Sequence, residues 1–408
     1  MSFVSLRLPS SEQPSAAPNL ARAGAVLGRM GFRPFFLLAA LFSAVAIPLW
    51  VLALQGRVQL RVPGGALFWH THEMVFGYTV AVIAGFLLTA VTRWSDRSTA
   101  TGGLLYALAG VWILGRVAVL LAGHLPGTLV AVVDLSFLPL VAWAIGRPIY
   151  ASRNRRNYAM VGILVGLGGA NLAVHLDSLG VAPGGAPWGL RLGLNLITLM
   201  MLIIGARVIP MFTRNAVGDS RIQSARSWDV ATALGAVALT VADVVAAPAP
   251  IQAALGGGTA LVALVAARRW GTRASLRNPM LWVLHFGYFW IPIALLLRAA
   301  HFAGLPVAHS TAVHALTAGA IGTLTLGMMA RVTLGHSGRI ITTSPLTTAC
   351  FAAITAAALL RVTVPELAPP LTAHAWLCAG IAWTLAFLGY AVRFGPMLLS
   401  PRVDGKAG

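Results

Sequence analysis

Long apolar runs separated by short polar or basic joints dominate the chain from residue 34 onward, as in "FFLLAALFSAVAIPLWVLAL" (35–54). A helix rises ~1.5 Å per residue, so runs of roughly 18 to 24 residues match a hydrocarbon layer ~30 Å thick. Twelve such runs are read, at 34–54, 69–92, 103–122, 127–146, 157–177, 188–211, 228–247, 250–267, 279–301, 308–331, 346–364 and 371–393. Lipid offers the backbone no hydrogen-bond partner, which selects helices, and a β-barrel would need short alternating strands instead. The predicted fold is therefore an all-α, polytopic transmembrane helix bundle. The weakest boundary is Ala247-Pro248-Ala249-Pro250, where the turn between two runs is very short.

Composition agrees with the pattern. Of the 408 residues, 58% are hydrophobic and only 10% charged, where a soluble chain carries about a quarter charged residues. Such a chain cannot cover a water-facing surface. The first 30 residues are polar and contain Pro and Ser, without the apolar core of a signal peptide. They read as a flexible cytoplasmic arm before a membrane domain at 31–396 and a cytoplasmic tail at 397–408.

The formal charge of +19 would suit nucleic acid if it were clustered on a water-facing surface, but its distribution argues against that partner. With both termini cytoplasmic, the outer side keeps six arginines, Arg57, Arg61, Arg116, Arg191, Arg298 and Arg361. The other 23 of the 29 basic residues fall on the inner side. That is the positive-inside bias, so "RNRR" (153–156) and "RRWGTR" (268–273) read as topology anchors. Cys350 and Cys378 fall near opposite faces, more than ~12 Å apart in depth, which speaks against a disulfide.

Histidine is where chemistry enters. This topology places eight of the ten histidines in the outer half: His70, His72, His124, His175, His301, His309, His314 and His374. His285 lies near the inner end of the ninth run and His336 in the inner loop after the tenth. Titratable residues within spans usually face the protein interior and mark a working site, and imidazole is the commonest ligand for haem iron and copper. For any single histidine, a hydrogen bond to a neighbouring helix is the commoner role. Acids are scarce, so most of these imidazoles have no evident carboxylate partner in the sequence.

"WHTHEMVFGYTVAVIAGFLLTA" (69–90) concentrates the problem. His70 and His72 stand ~200° apart around a helix, so one can ligate a metal while the other supports it or serves a second metal. Glu73 can relay a proton, orient an imidazole or ligate; equally, it can be a helix-start carboxylate favoured by the helix dipole. A second stretch, "HALTAGAIGTLTLGMMARVTLGHSGR" (314–339), repeats the spacing. His72, Gly77 and Gly85 are matched by His314, Gly319 and Gly327, and each pattern runs on to an arginine, Arg93 or Arg331. Small residues there admit a close neighbour or a flat macrocycle. Arg298 is placed to pair a haem propionate or to snorkel to the interface. Met200-Met201 and Met328-Met329 suit either soft Cu(I) or apolar packing. The absence of CxxCH excludes covalently attached haem, and no phosphate-cradling loop is present.

"GFRPFFLLAAL" (31–41), the 69–91 stretch, "GARVIPMFTRN" (205–215), "WVLHFGY" (282–288) and the 314–339 stretch together resemble the NnrS family of bacterial membrane proteins over nearly the whole chain. The resemblance implies twelve spans in the bacterial inner membrane, haem b and copper, and a role in nitric oxide metabolism and nitrosative-stress resistance. Carried onto this chain it implies His70, His72, His175, His285, His314 and His336 as metal ligands, together with Glu73. Within that set His72 and His314 are the expected haem ligands, with Arg298 at the cofactor, and Glu73 and His70 the expected catalytic groups. The expected activity is that of an oxidoreductase reducing nitric oxide to nitrous oxide with electrons from a quinol or cytochrome. A non-catalytic nitric oxide sensor or scavenger, and a transporter or metal carrier, are the alternatives. A looser likeness to haem–copper oxidases and nitric oxide reductases stops at the sixth run, which lacks their copper-binding histidine.

Overall fold

The computed structural model describes residues 20–406, with side chains from residue 23. Most of the expected N-terminal arm, residues 1–19, therefore lies outside the described residues. Its last part, Leu20–Leu27, is a short helix whose end docks on the third span: the Gly102 amide donates to the Gly28 carbonyl at 2.7 Å, and the Tyr106 hydroxyl reaches the Gly24 carbonyl.

Among the described residues, twelve helices are long and apolar enough to cross a membrane. In order they are span 1 (Phe32–Leu54), span 2 (Gly65–Ser95), span 3 (Gly102–Leu120), span 4 (Gly127–Ala151), span 5 (Arg155–Ser178) and span 6 (Gly185–Val217). Span 7 (Arg226–Val244), span 8 (Ala249–Ala267), span 9 (Pro279–Phe302), span 10 (His309–His336), span 11 (Pro345–Leu367) and span 12 (Pro369–Leu398) follow. No strand occurs among the described residues. Each span coincides with an expected run; spans 2, 4, 6, 10, 11 and 12 extend about a turn or more beyond it, whereas spans 3 and 7 end two and three residues early. The short turn between spans 7 and 8 is confirmed. Span 7 stops at Val244, Ala246 turns with φ 50°, and Pro248 and Pro250 start the next helix, where a missing N–H costs nothing.

Local signals explain the ends. Span 6 begins after Gly184 (φ 84°) and ends at Gly218 (φ 77°), both in the left-handed region. Asn278 caps span 9 by accepting from the Met280 amide, and Ser344 caps span 11 by accepting from the Thr347 amide, each with a proline at the first helical position. Span 4 breaks between Leu135 and Phe137. Pro139 has no N–H to offer the Leu135 carbonyl, so the helical ladder is interrupted just after Asp134.

Burial separates the centre from the rim. The apolar stretch of span 2 is 83% buried, against 28% and 33% for spans 7 and 8, which places span 2 at the heart of the bundle and the other two at its edge. Spans 1, 4 and 10 pack around span 2, span 9 lies against spans 8 and 10, and span 12 closes on spans 1 and 11. Spans 2 and 10 meet midway, where the Tyr78 and Thr325 hydroxyls lie 2.6 Å apart.

These two spans share a distortion. Glu73–Thr79 and Ala315–Ile321 are wide π-helical segments of seven residues, each starting one residue after its motif histidine, His72 or His314. The repeated spacing in the sequence is thus a repeated backbone shape. Wide turns of this kind misalign the helical ladder and occur often at functional sites. In span 2 the Thr79 hydroxyl donates back to the Met74 carbonyl at 2.6 Å and satisfies it.

Candidate metal centre

Four spans bring polar and charged groups to one point near the end of the bundle that the arginine distribution assigns to the outside. His72 and Glu73 come from span 2, Arg116 from span 3, Asp134 from span 4, and Asn171 and His175 from span 5. All six are buried, with His72 at 0% and Glu73 at 1% exposure. The break in span 4 sits beside Asp134. Asn171 and His175 are four residues apart and therefore share one helix face.

The connections are dense. Arg116 Nη1 donates to Glu73 Oε1 at 2.6 Å, and its Nη2 pairs with Asp134 Oδ1. His175 Nε2 lies 2.8 Å from Asp134 Oδ2, and Asn171 Nδ2 donates to the same oxygen at 2.7 Å. His72 Nδ1 is 3.0 Å from Glu73 Oε1; its Nε2 is 3.0 Å from Asn171 Oδ1 and 3.4 Å from Asp134 Oδ2. Small residues make the space. A Cβ on Gly77 would stand 2.8 Å from Arg116 Nη1 and 3.1 Å from Glu73 Oε2, and one on Gly115 would stand 3.2 Å from Asp134 Oδ1. The indole N–H of Trp112 donates to the Gly77 carbonyl at 3.1 Å and fixes span 3 against the π segment.

Two features fit this centre to a metal cation. His72, Asp134 and His175 offer ligand atoms that all lie within 4.8 Å of one another, and two imidazoles with a carboxylate suit copper, iron or zinc. Charge points the same way: two carboxylates face one guanidinium, leaving one unit of negative charge for a cation or for a proton on an imidazole. His72 meets an oxygen acceptor at each ring nitrogen, so it either carries both protons or gives a lone pair to a cation. Glu73 Oε2 is buried without a hydrogen-bond partner, an orphaned acceptor at the same point. Burying such a network is costly unless every member is satisfied.

The other expected residues fall elsewhere. His70 turns away from His72, as their ~200° separation requires, and stacks on Trp50 with ring centroids 4.6 Å apart. His314 and Arg361 lie within electrostatic reach of His70. His70 Nδ1 is buried without a partner, whereas His314 Nδ1 is held by the Ser310 carbonyl at 2.7 Å. His285 bonds the Thr213 and Thr272 hydroxyls. His336 lies on the Phe32 ring, centroids 5.8 Å apart. Arg298 pairs with Asp243 and donates to Gln252 at 2.7 Å. Met200, Met201 and Met328 line an apolar cavity of about 90 Å³ between spans 2, 6 and 10, bordered by Thr79 and Thr325.

Three members of the centre were not singled out as site residues in the sequence. Arg116 reads there as a topology charge, and Asp134 and Asn171 go unremarked, so the expectation that these imidazoles lack carboxylate partners fails for His72 and His175. A signal existed. Asp134 is a lone acid within an apolar run, costly in the same way as Glu73, and Asn171 precedes His175 by one helical turn.

Comparison with known proteins agrees with this architecture. No curated protein matches the chain at a significant level. The family model described as "NnrS protein" matches residues 26–402, which include all twelve spans and every residue of the buried cluster. The chain belongs to the NnrS family.

Proposed function

We infer that the protein binds nitric oxide within the membrane and removes it by reduction to nitrous oxide at metal centres held near the outer face. The observation that carries this reading is the convergence of His72, Asp134 and His175 around an uncompensated negative charge in a family linked to nitric oxide. A compact ion such as copper is the group this centre suits, because the six side chains bond one another too closely to admit a macrocycle. Haem b finds candidate ligands in His70, whose Nδ1 is buried without a partner, and in His314, whose Nδ1 is committed to the Ser310 carbonyl; they come from the two spans that share the π distortion. This revises the expected His72–His314 pair to His70–His314. When bound, such metals supply open coordination for the diatomic ligand and one-electron chemistry.

The protein's own residues do the rest. Arg116 holds both carboxylates in place and keeps their charge tolerable inside an apolar bundle. Glu73 presents a free carboxylate oxygen beside His72, so it can accept a proton and pass it inward from the surface. The 90 Å³ apolar cavity below gives a small, neutral, lipid-soluble molecule a place to partition beside the π segment of span 2. The bacterial inner membrane with both termini cytoplasmic is the location that the arginine distribution favours.

The test is direct. Purified, metal-replete, reduced protein in lipid is given nitric oxide, with optical spectra and nitrous oxide recorded. A shifted haem absorption band with nitrous oxide formed supports reduction. A shifted band without product means a sensor or scavenger, and colourless protein with metal-dependent vesicle uptake means a carrier.

A further inference from the structure

A second polar cluster lies apart from the metal centre, at the same end of the bundle, in a cavity of about 80 Å³ between spans 6, 7, 9 and 10. A single water needs only about 10–15 Å³ on the same measure, so a larger group fits. Its floor is the Arg298–Asp243 pair, with Asn195 Nδ2 donating to Asp243 Oδ2 at 2.6 Å. Arg298 also donates to Gln252, yet its Nε is buried without a partner. The walls are aliphatic apart from Phe302 and Thr198, whose hydroxyl donates to the Leu194 carbonyl, and exposed Arg191 and His309 form the rim. The His301 ring stands 5.3 Å from that of His309.

We propose that this cavity binds the head group of a membrane quinol, the electron donor for the reaction inferred above. An inorganic anion is a poor match, because Asp243 already answers the Arg298 charge and the walls are apolar. A neutral ring carrying two oxygens matches better. One oxygen meets the floor formed by Arg298 and Asn195, the other meets the imidazole of His309, the ring lies on Phe302 and aliphatic walls, and the tail runs into lipid. Oxidation of one quinol to quinone releases two electrons and two protons. Asp243 and His309 are the bases that face those protons, and a transition metal held by the residues described above would take up the electrons. Reduction of two nitric oxide molecules to nitrous oxide and water consumes the same two electrons and two protons, so the two half-reactions balance.

The proposal rests on the nitric oxide reading only for its electron acceptor, and the binding can be measured without it. Full-length protein in lipid nanodiscs is titrated with ubiquinone-1 by calorimetry, beside Ala236→Phe, which fills the cavity, and Asn195→Ala, which removes a floor donor without adding bulk. Saturable binding to wild type, weakened about tenfold or more in Ala236→Phe and measurably in Asn195→Ala, supports the site. No saturable binding to folded wild type overturns it, and so does displacement of the quinone by sulfate or nitrate, which would mark an anion site. Nitric oxide consumption then distinguishes the two readings. Loss of quinol-driven consumption in Ala236→Phe with dithionite-driven consumption retained supports the donor role. Equal quinol-driven rates in both proteins overturn it. If wild type consumes nitric oxide with neither donor while quinone still binds saturably, the nitric oxide reading fails and the binding site stands.

Discussion

The guanidinium of Arg116 donates to the Glu73 carboxylate at 2.6 Å and so ties span 3 to span 2 inside an apolar bundle. Its other arm pairs with Asp134 on span 4. One cation thus holds two acids whose remaining charge and lone pairs are left for His72, His175 and whatever ion they share. Removing it by Arg116→Ala strands two buried carboxylates, at a cost of about 3–5 kcal/mol. The expected result is a large loss of thermal stability in detergent, partly recovered by Arg116→Lys, which keeps the charge but not the fork. Unchanged melting of Arg116→Ala would contradict the charge balance described here.

The space for that guanidinium depends on Gly77. A Cβ there meets Arg116 Nη1 at 2.8 Å, so Gly77→Ala displaces the side chain and costs about 1–3 kcal/mol. Gly110, on span 3, has open space around it, and Gly110→Ala is expected to be neutral or stabilising by up to about 1 kcal/mol. Comparing the two melting temperatures separates a packing requirement from general helix propensity.

Much of this was legible in the sequence, and the limit has a physical cause. Span positions follow from apolar run length, which lipid enforces on each helix independently. The opposite facing of His70 and His72 follows from helical geometry alone. The assembly of the centre does not, because it depends on which helices are neighbours: Arg116, Asp134 and Asn171 acquire meaning only when spans 3, 4 and 5 pack beside span 2. The His–Gly–Gly spacing signalled that spans 2 and 10 are alike, but the π segments behind it are fixed by tertiary contacts such as Trp112 on the Gly77 carbonyl. Arg298 shows the same limit, since its partners Asp243 and Gln252 lie on spans 7 and 8.

Tyr78 and Thr325 join the two π-bearing spans through one hydrogen bond of 2.6 Å. Side-chain hydrogen bonds between membrane helices average about 0.6 kcal/mol, because the separated helices find other partners. Tyr78→Phe, which keeps the ring on Trp383 and Phe387, is therefore expected to cost less than about 1 kcal/mol and to leave metal content unchanged. A collapse in stability would mean the bond has a role beyond packing.

The C-terminal tail is pinned outside the spans. Arg402 donates to the His336 carbonyl at 2.8 Å and to Asp404, and the Val403 amide donates to the Ser337 carbonyl at 3.1 Å. The Arg402 hydrogen bond holds the Asp404 carboxyl down at about 2. A lowered folded value means the contribution is complete above the ordinary value of ~3.9 and is lost only as pH falls through the folded one. Hydrogen exchange of residues 399–406 should accordingly show constant protection, after correction for intrinsic rates, between about pH 5 and 9. A pH-dependent opening within that window would show that another group controls the tail.

The central claim is that spans 2, 4 and 5 grip a metal ion through His72, Asp134 and His175. Metal analysis of purified wild type, His72→Ala, Asp134→Asn, His175→Ala and His285→Ala, each loaded with copper and dialysed, tests it most directly. The account predicts one retained ion in wild type and His285→Ala and its loss in the other three. Equal metal content in all five proteins, or none in wild type, would contradict it.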